Sequence, residues 1–234
     1  MTSPYGNEAE AAVSRAGPYG ELYRSRAKPR LYDLWGKRLL DVAGALAGLI
    51  VLSPAILLIA LAVKLSDPGG PILFRQNRIG KDYKTFRIYK FRSMVHNAEE
   101  VLKRDAKLHA KYILNNYKLD PDEDPRITAI GRILRKTSLD EIPQLFNVLA
   151  GSMSLVGPRP VVREELDNYG DRASELLSVQ PGVTGYWQVS GRSNVGYPER
   201  ADLELHYVSR KSLRFDLSIL LRTVLVVLLR RGAY

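Results

Sequence analysis

VAGALAGLIVLSPAILLIALAV, residues 42–63, runs for about 22 positions without a charged side chain, and Ser53-Pro54 stands near its middle. At about 1.5 Å rise per residue, a helix of this length spans a hydrocarbon core of roughly 30 Å. The flanks argue against a simple crossing. Arg24, Arg26, Lys28, Arg30, Lys37 and Arg38 precede the run, and Lys64, Arg75, Arg78, Lys81, Lys84, Arg87, Lys90 and Arg92 follow it. A single crossing puts one basic cluster outside, whereas Lys and Arg beside membrane segments stay cytoplasmic. Proline at 54 removes an amide donor and kinks a helix, and the Ser53 hydroxyl can bond a carbonyl that the kink frees. The pattern predicts a re-entrant membrane helix that breaks at Ser53 and Pro54 and returns to the side it came from. A straight, mildly kinked spanning helix is the alternative. A buried core helix fits less well, because globular helices of this length carry a polar face.

Outward from that run, 35 Lys and Arg against 25 Asp and Glu leave a net charge of +10 and a pI near 9.7. Such a balance suits an anionic partner: nucleic acid, the acidic inner leaflet or a phosphate-rich substrate. The absence of cysteine excludes disulfides and thiolate metal sites. His96, His109 and His206 are the only histidines and none pair at i and i+4, which leaves a zinc hydrolase almost without ligands. The apolar run is long for a signal-peptide core and follows a polar leader, so the residues after it are expected on the cytoplasmic side.

Three regions follow. Residues 1–30 are small, polar and interrupted by glycine, a flexible leader. Residues 31–66 combine an interfacial approach helix, with apolar residues at helical spacing over 31–40, and the membrane helix. Residues 67–234 are expected to form a cytoplasmic domain that carries the candidate chemistry. Asp67-Pro68-Gly69-Gly70-Pro71 ends the apolar element. Short strands at 72–74 and 86–91 flank Gly80-Lys81-Asp82, a predicted β-hairpin with basic residues on one face; Arg87, Lys90 and Arg92 also suit an ordinary solvated edge. A charged helix capped by Asn97 or Ser93 is expected over 98–115. The acidic run Asp120-Pro121-Asp122-Glu123-Asp124-Pro125 reads as a turn more readily than as an oxygen-ligand metal site. At the end, residues 213–229 are apolar but broken by Arg214, Asp216 and Arg222, which predicts an amphipathic helix on the leaflet or on the core.

Ser138-Leu139-Asp140-Glu141 matches a capping box, with Ser138 at the N-cap of a helix through Leu149 and Glu141 at N3. Capping alone accounts for both acids. The same place also suits a reactive carboxylate, since a helix start stabilises an ionised Asp140 and keeps it available as a nucleophile. Arg132, Arg135 and Lys136 stand just before it and can hold an anionic substrate, a site that needs cations or a metal. Gly151 is expected to end the helix. Beyond it, Gly157-Pro158-Arg159-Pro160 fixes the direction of one arginine. The glycine loop over 181–192, ending in Arg192, can cradle a nucleotide, a weak signal alone.

In order, Lys37-Arg38-Leu39-Leu40-Asp41, Ser53-Pro54, Phe74-Arg75-Gln76-Asn77-Arg78-Ile79-Gly80, Lys90-Phe91-Arg92-Ser93-Met94, Asp124-Pro125-Arg126-Ile127-Thr128, Leu139-Asp140-Glu141-Ile142-Pro143-Gln144-Leu145, Gly157-Pro158-Arg159-Pro160, the 181–192 loop and Arg231-Gly232-Ala233-Tyr234 resemble the bacterial sugar transferases, the monotopic polyprenyl-phosphate phosphoglycosyl transferases. The resemblance covers about 35–234. It implies an α+β, mostly helical monotopic membrane protein with a kinked re-entrant helix, interfacial amphipathic helices and a small β-hairpin, at the cytoplasmic face of the bacterial inner membrane. It implies transfer of a sugar 1-phosphate from a UDP-sugar to undecaprenyl phosphate through an aspartyl-phosphosugar, with release of UMP. By similarity Asp140 is the nucleophile, Glu141 the Mg2+ ligand, and Arg135, Arg159 and Arg192 phosphate-binding residues, with Lys90 and Arg92 beside them. Ser53-Pro54 matches the helix break. Glu204 departs from the family's usual Asp, and His206 from a frequent aromatic. The chain resembles the small form of the family, and the wording of Trp187-Gln188-Val189-Ser190-Gly191-Arg192 points to UDP-glucose or UDP-galactose and to exopolysaccharide or O-antigen assembly. The implied partners are donor, lipid, inner leaflet and a second copy in a homodimer, without nucleic acid. Two other classes stay open: a membrane-tethered basic scaffold, and a metal-dependent phosphohydrolase of the same substrates.

Overall fold

The computed structural model describes residues 32–115, 119–191 and 195–228. The leader over 1–30, Arg192 and Arg231-Gly232-Ala233-Tyr234 lie outside the described residues.

Helix α1 (Lys37–Ser66) is 30 residues long and keeps Pro54 inside it. A wide turn, Tyr32–Gly36, winds straight into it. Gly36 is itself helical at φ −62° and ψ −40°, so nothing separates an approach helix from the main one. Proline 54 lacks the amide that would bond the carbonyl four residues earlier, that of Ile50. The Ser53 hydroxyl donates to that carbonyl at 2.8 Å, as the sequence suggested. One face of α1 is packed: Ala45, Ile59 and Val63 are buried, and Leu49, Leu52, Ile56 and Ala60 lie against the same core. The other face leaves Leu46, Ile50, Val51, Leu57, Leu58, Leu61 and Leu65 exposed. A stripe of large apolar side chains this long marks a surface made for lipid or protein rather than water, and α1 is long and apolar enough to cross a membrane.

Both ends of α1 are fastened to the same body. At the start, the Arg38 guanidinium donates to the carbonyls of Val148 at 2.6 Å and Leu149 at 2.8 Å. Asp41, buried, accepts from the Ser154 hydroxyl and the Leu155 amide, each at 2.9 Å. A Cβ on Gly44 would meet the Leu155 Cδ1 at 2.5 Å, so a larger residue here would make that side chain shift. Past the far end, Asp67 accepts from Arg92 at 2.7 Å and from the His96 backbone amide at 2.6 Å.

Strands β1 (Leu73–Ile79) and β2 (Thr85–Phe91) form the antiparallel hairpin, with Leu73 opposite Phe91 and Ile79 opposite Thr85. The first strand is longer than the sequence suggested, and the basic residues do not share one face. Because side chains alternate along a strand, Arg78 and Lys90 fall on one face, while Arg75 and Arg87 fall on the other, Arg75 lying over the Tyr89 ring at 5.6 Å. The helix expected over 98–115 is two, α2 (Ala98–Arg104) and α3 (Ala106–Leu114). Asp105 breaks it: its backbone is extended and its carboxylate caps α3 through the amides of Lys107 and Leu108. The acidic run folds as a turn, in which Asp120 accepts from the Asp122 amide and Asp124 takes a paired grip from Arg126 at 2.8 and 2.7 Å.

Helices α4 (Ala129–Thr137) and α5 (Gln144–Leu149) bracket the tight turn Leu139–Glu141. Strand β3 (Ser154–Val156) pairs in parallel with β4 (Gly182–Thr184), linked by the turns Arg163–Arg172 and α6 (Ala173–Leu176). Then come α7 (Tyr186–Ser190), α8 (Glu199–Arg210) and α9 (Leu213–Leu228). Ile88, Phe91, Leu134, Leu145, Val148, Met153, Val156, Tyr207 and Ile219 make the main core, shared with α1. Helix α9 packs Asp216 and Ile219 inward, fully buried, and leaves Leu217, Leu221, Val224 and Leu225 exposed. It both packs on the core and offers an apolar outer face.

Candidate active site

Ser138 does not open a helix. It closes α4 in the left-handed conformation, φ 57° and ψ 17°, and its amide bonds back to Arg135 and Leu134 carbonyls. A residue in that conformation cannot also serve as the extended N-cap of the next helix, so the expected capping box is absent. Helix α5 starts after Pro143, and no side chain caps it. Asp140 and Glu141 therefore sit on a separate single turn with no capping task, joined to α4 by a strained residue and to α5 by a proline. A non-glycine residue at positive φ is uncommon and concentrates where a site must be aimed. Gly151, at φ 81°, closes α5 as expected.

The hairpin face carrying Arg78 and Lys90 looks onto this turn. Lys90 donates to Glu141 at 2.6 Å. The two line an open cleft together with Arg78, Arg159, Gln144 and Gln188, flanked by Ile88, Pro160 and Val183. Asp140 stands on the same turn. Burial pushes its carboxyl up to about 6; Lys90 and Arg135 work against that shift, and the neighbouring Glu141 adds to it. Arg135 is seated by Ser93, whose hydroxyl accepts from its Nε at 2.9 Å. Burial lowers the Arg135 guanidinium, opposed by the charges of Asp140 and Asp124.

Arg159 rises from the Gly157-Pro158-Arg159-Pro160 turn, and a buried carboxylate holds that turn. Glu204, 1% exposed, accepts from the Arg159 amide at 3.3 Å, from Arg200 at 3.4 Å and from the Tyr169 hydroxyl. Burial raises Glu204 above the usual carboxylate range, partly offset by Arg200, Tyr169 and the Arg159 amide. Arg200 itself lies between the rings of Trp187, at 4.3 Å, and Tyr197, at 4.8 Å. His206 is exposed and stacks on Tyr186.

The structure thus gathers Lys90, Glu141 and Arg159 around one cleft, with Asp140 and Arg135 beside them, whereas Arg92 is spent on Asp67 and does not line it. Arg78 joins the site without having been singled out; the parity of the hairpin, which puts it on the face of Lys90, is the signal that finds it. The 181–192 loop lines the cleft through Gly182, Val183 and Gln188, and its glycines also allow close packing: a Cβ on Gly182 would lie 2.1 Å from the Gly157 amide nitrogen, and one on Gly185 2.1 Å from the Gly157 carbonyl oxygen.

A family model described as bacterial sugar transferase matches residues 32–230. The undecaprenyl-phosphate galactose phosphotransferase of Salmonella typhimurium is 48% identical over 85% of this chain and 41% of its own length. The UDP-glucose:undecaprenyl-phosphate glucose-1-phosphate transferase of Escherichia coli is 39% identical, again over 85% of this chain and 41% of its own. The chain therefore spans about two fifths of those two relatives. It covers 88% of the exopolysaccharide production protein ExoY of Sinorhizobium fredii, which is 46% identical over 85% of this chain. With the match running from the turn before α1 to the end of α9, the chain belongs to the bacterial sugar transferase family.

Proposed function

We propose that the protein transfers a sugar 1-phosphate from a UDP-sugar, UDP-glucose or UDP-galactose, to undecaprenyl phosphate. The observation that carries this reading is the Asp140-Glu141 turn, two adjacent carboxylates set against the cations of one cleft. An Asp140 oxygen attacks the sugar-bearing phosphorus; the new P–O bond forms as the bond to UMP breaks, and UMP leaves with the electron pair. An oxygen of the lipid phosphate then attacks the same phosphorus, and the aspartyl bond breaks to regenerate Asp140. A carboxyl near 6 is ionised at neutral pH yet sheds less water than an exposed one when it attacks. Lys90, Arg78, Arg159 and Arg135 neutralise the phosphates as two anions approach. Arg192 and Arg92 complete the phosphate-binding set expected from the family.

Two adjacent carboxylates beside a phosphate site suit Mg2+, which takes one or two carboxylates and fills the rest of its shell with phosphate and water. Glu141 would hold it. Bound there, the ion supplies further charge neutralisation at the transferring phosphate.

The same reading places α1 as a re-entrant helix at the cytoplasmic face of the inner membrane. It is supported by the fastening of both helix ends to one body, through Arg38 and Asp41 at the start and Asp67 at the finish. The exposed outer face of α9 lies on the leaflet, and a homodimer is compatible with it.

Purified protein, undecaprenyl phosphate, Mg2+ and a panel of UDP-sugars test the reaction. Lipid-dependent UMP release and, without lipid, a phosphosugar adduct on Asp140 by intact mass are expected. Undiminished UMP release from Asp140→Asn would refute the nucleophile, and free sugar phosphate in place of lipid-linked product would make the protein a phosphohydrolase. Tags before α1 and after α9 should report the same side of the membrane.

A further inference from the structure

The cleft has a charged half and a neutral half. Lys90, Arg78 and Arg159 meet phosphate, but Gln144 and Gln188 also line it, from two different helices, and neither has an anion to bind. Gln144 begins α5, three residues after Glu141, and is 2% exposed. No side-chain hydrogen bond joins its amide to any described residue. Gln188 is on α7. Its Oε1 is buried without a hydrogen-bond partner among the described residues, and the close packing of Gly185 on Gly157 seats it, since a Cβ on Gly185 would lie 2.7 Å from that oxygen. Buried polar groups in folded proteins are satisfied with few exceptions, and an amide both donates and accepts, as does a sugar hydroxyl. A carboxamide pair beside a cationic phosphate site is thus complementary to a ring of hydroxyls hanging from a phosphate.

We propose that Gln144 and Gln188 read the hexose of the sugar nucleotide, bonding its hydroxyls and setting which epimer the cleft accepts. The proposal rests on the reading of the cleft as a UDP-sugar site. The hexose is preferred to the uracil because Gln144 stands one helical turn from Glu141, beside the phosphate that carries the sugar.

The test compares full-length wild type with Gln144→Leu and Gln188→Leu in lipid nanodiscs. It measures KM and kcat for UDP-glucose, UDP-galactose and UDP-N-acetylglucosamine, and the inhibition constant of UDP, which has no sugar. Loss of a hydrogen bond that a buried site expects raises KM for the preferred donor by about tenfold. The preference between glucose and galactose should fall to within about twofold, with the UDP constant unchanged. An unaltered epimer preference in both variants overturns the proposal, and so does a rise in the UDP constant matching that in KM, which would give the amides to the nucleotide. Gln144→Glu and Gln188→Glu keep the shape should the leucine variants fail to fold, and are held to the same epimer ratio. If the wild type releases no UMP, the transferase reading fails. Calorimetric binding of the same UDP-sugars to wild type and variants then decides the amide proposal, and absence of sugar-dependent binding overturns it.

Discussion

Two regions of the molecule place a lysine beside two carboxylates, to opposite ends. At the start of α1, Lys37 bridges Asp41 at 3.1 Å and Asp216 at 2.9 Å. The remaining acceptors there are used: Asp41 by Ser154 and Leu155, Asp216 by the hydroxyls of Tyr32 and Tyr207. At the cleft, Lys90 reaches Glu141 at 2.6 Å and acts on Asp140 only through space. The first cluster is saturated, joining the start of α1 to α9. The second is only half-buried, and the Asp140 carboxyl is pushed up to about 6. The fastening lies fully buried among its donors, whereas Asp140 and Glu141 stay half-buried beside a cleft that opens to solvent.

Breaking the reactive cluster has the largest expected effect. Asp140→Asn should cut lipid-dependent UMP release by roughly four orders of magnitude, as removal of a nucleophile does. The same change should stabilise the fold near pH 7.5. The folded carboxyl holds its proton up to about 6, above its unfolded value of 3.8, so ionisation costs stability that is intact below about pH 4 and lost as pH rises through 6. A neutral Asn removes a cost of order 1–3 kcal/mol, seen as a higher Tm at pH 7.5 that converges with wild type by pH 4. Breaking the saturated cluster reverses the pattern. Asp216→Ala leaves Lys37 with Asp41 alone and takes a buried acceptor from Tyr32 and Tyr207, and should cost about 3–5 kcal/mol in thermal or chemical unfolding, while protein that stays folded keeps kcat within severalfold.

Smaller changes sharpen the contrast. Glu204→Gln removes the charge facing Arg200 and weakens the hold on the Arg159 amide; a loss of about 1–3 kcal/mol is expected, with KM for the donor raised more than kcat is lowered. Since Asp140 must be ionised to attack, turnover of the wild type should rise with pH through about 6 and level off. Lys90→Met removes a charge that lowers Asp140 and should move that limb upward, by on the order of one pH unit. Ser53→Ala leaves the Ile50 carbonyl without its substitute donor and should cost about 1 kcal/mol, whereas Pro54→Ala restores the backbone bond and should favour a straight helix, detected by end-tag accessibility.

Local rules made α1 legible. A proline, the carbonyl it orphans and a hydroxyl next door are all within four residues, and the hydrogen bond was foreseeable from them. The hairpin and the glycine closing α5 were legible for the same reason. The turn at Leu139–Glu141 was not, because Ser138 takes a left-handed backbone under the demands of α4 behind it, and a four-residue match to a capping box carries no information about that. The pairing of Arg92 was not legible, since its partner, Asp67, is 25 residues away and nothing periodic links them. Arg78 and the two glutamines acquire their surroundings from separate elements, α5, α7 and the hairpin, brought together only by the fold. Asp140 and Glu141 stood out by local spacing and by resemblance; the cleft beside them did not.

The grip of Arg38 on the last carbonyls of α5 has a mechanical side. Helix α5 is only six residues, about 9 Å long, with the Asp140-Glu141 turn just before one tip and the start of α1 clamped to the other. It is a strut between the apolar helix and the carboxylates, short enough to allow little play. On the proposed reading, with α1 in lipid, that strut would set the height of Asp140 above the acyl chains, as a ruler fixes the distance of a pen from an edge, and would leave the phosphate of a lipid at a fixed depth one place to meet it.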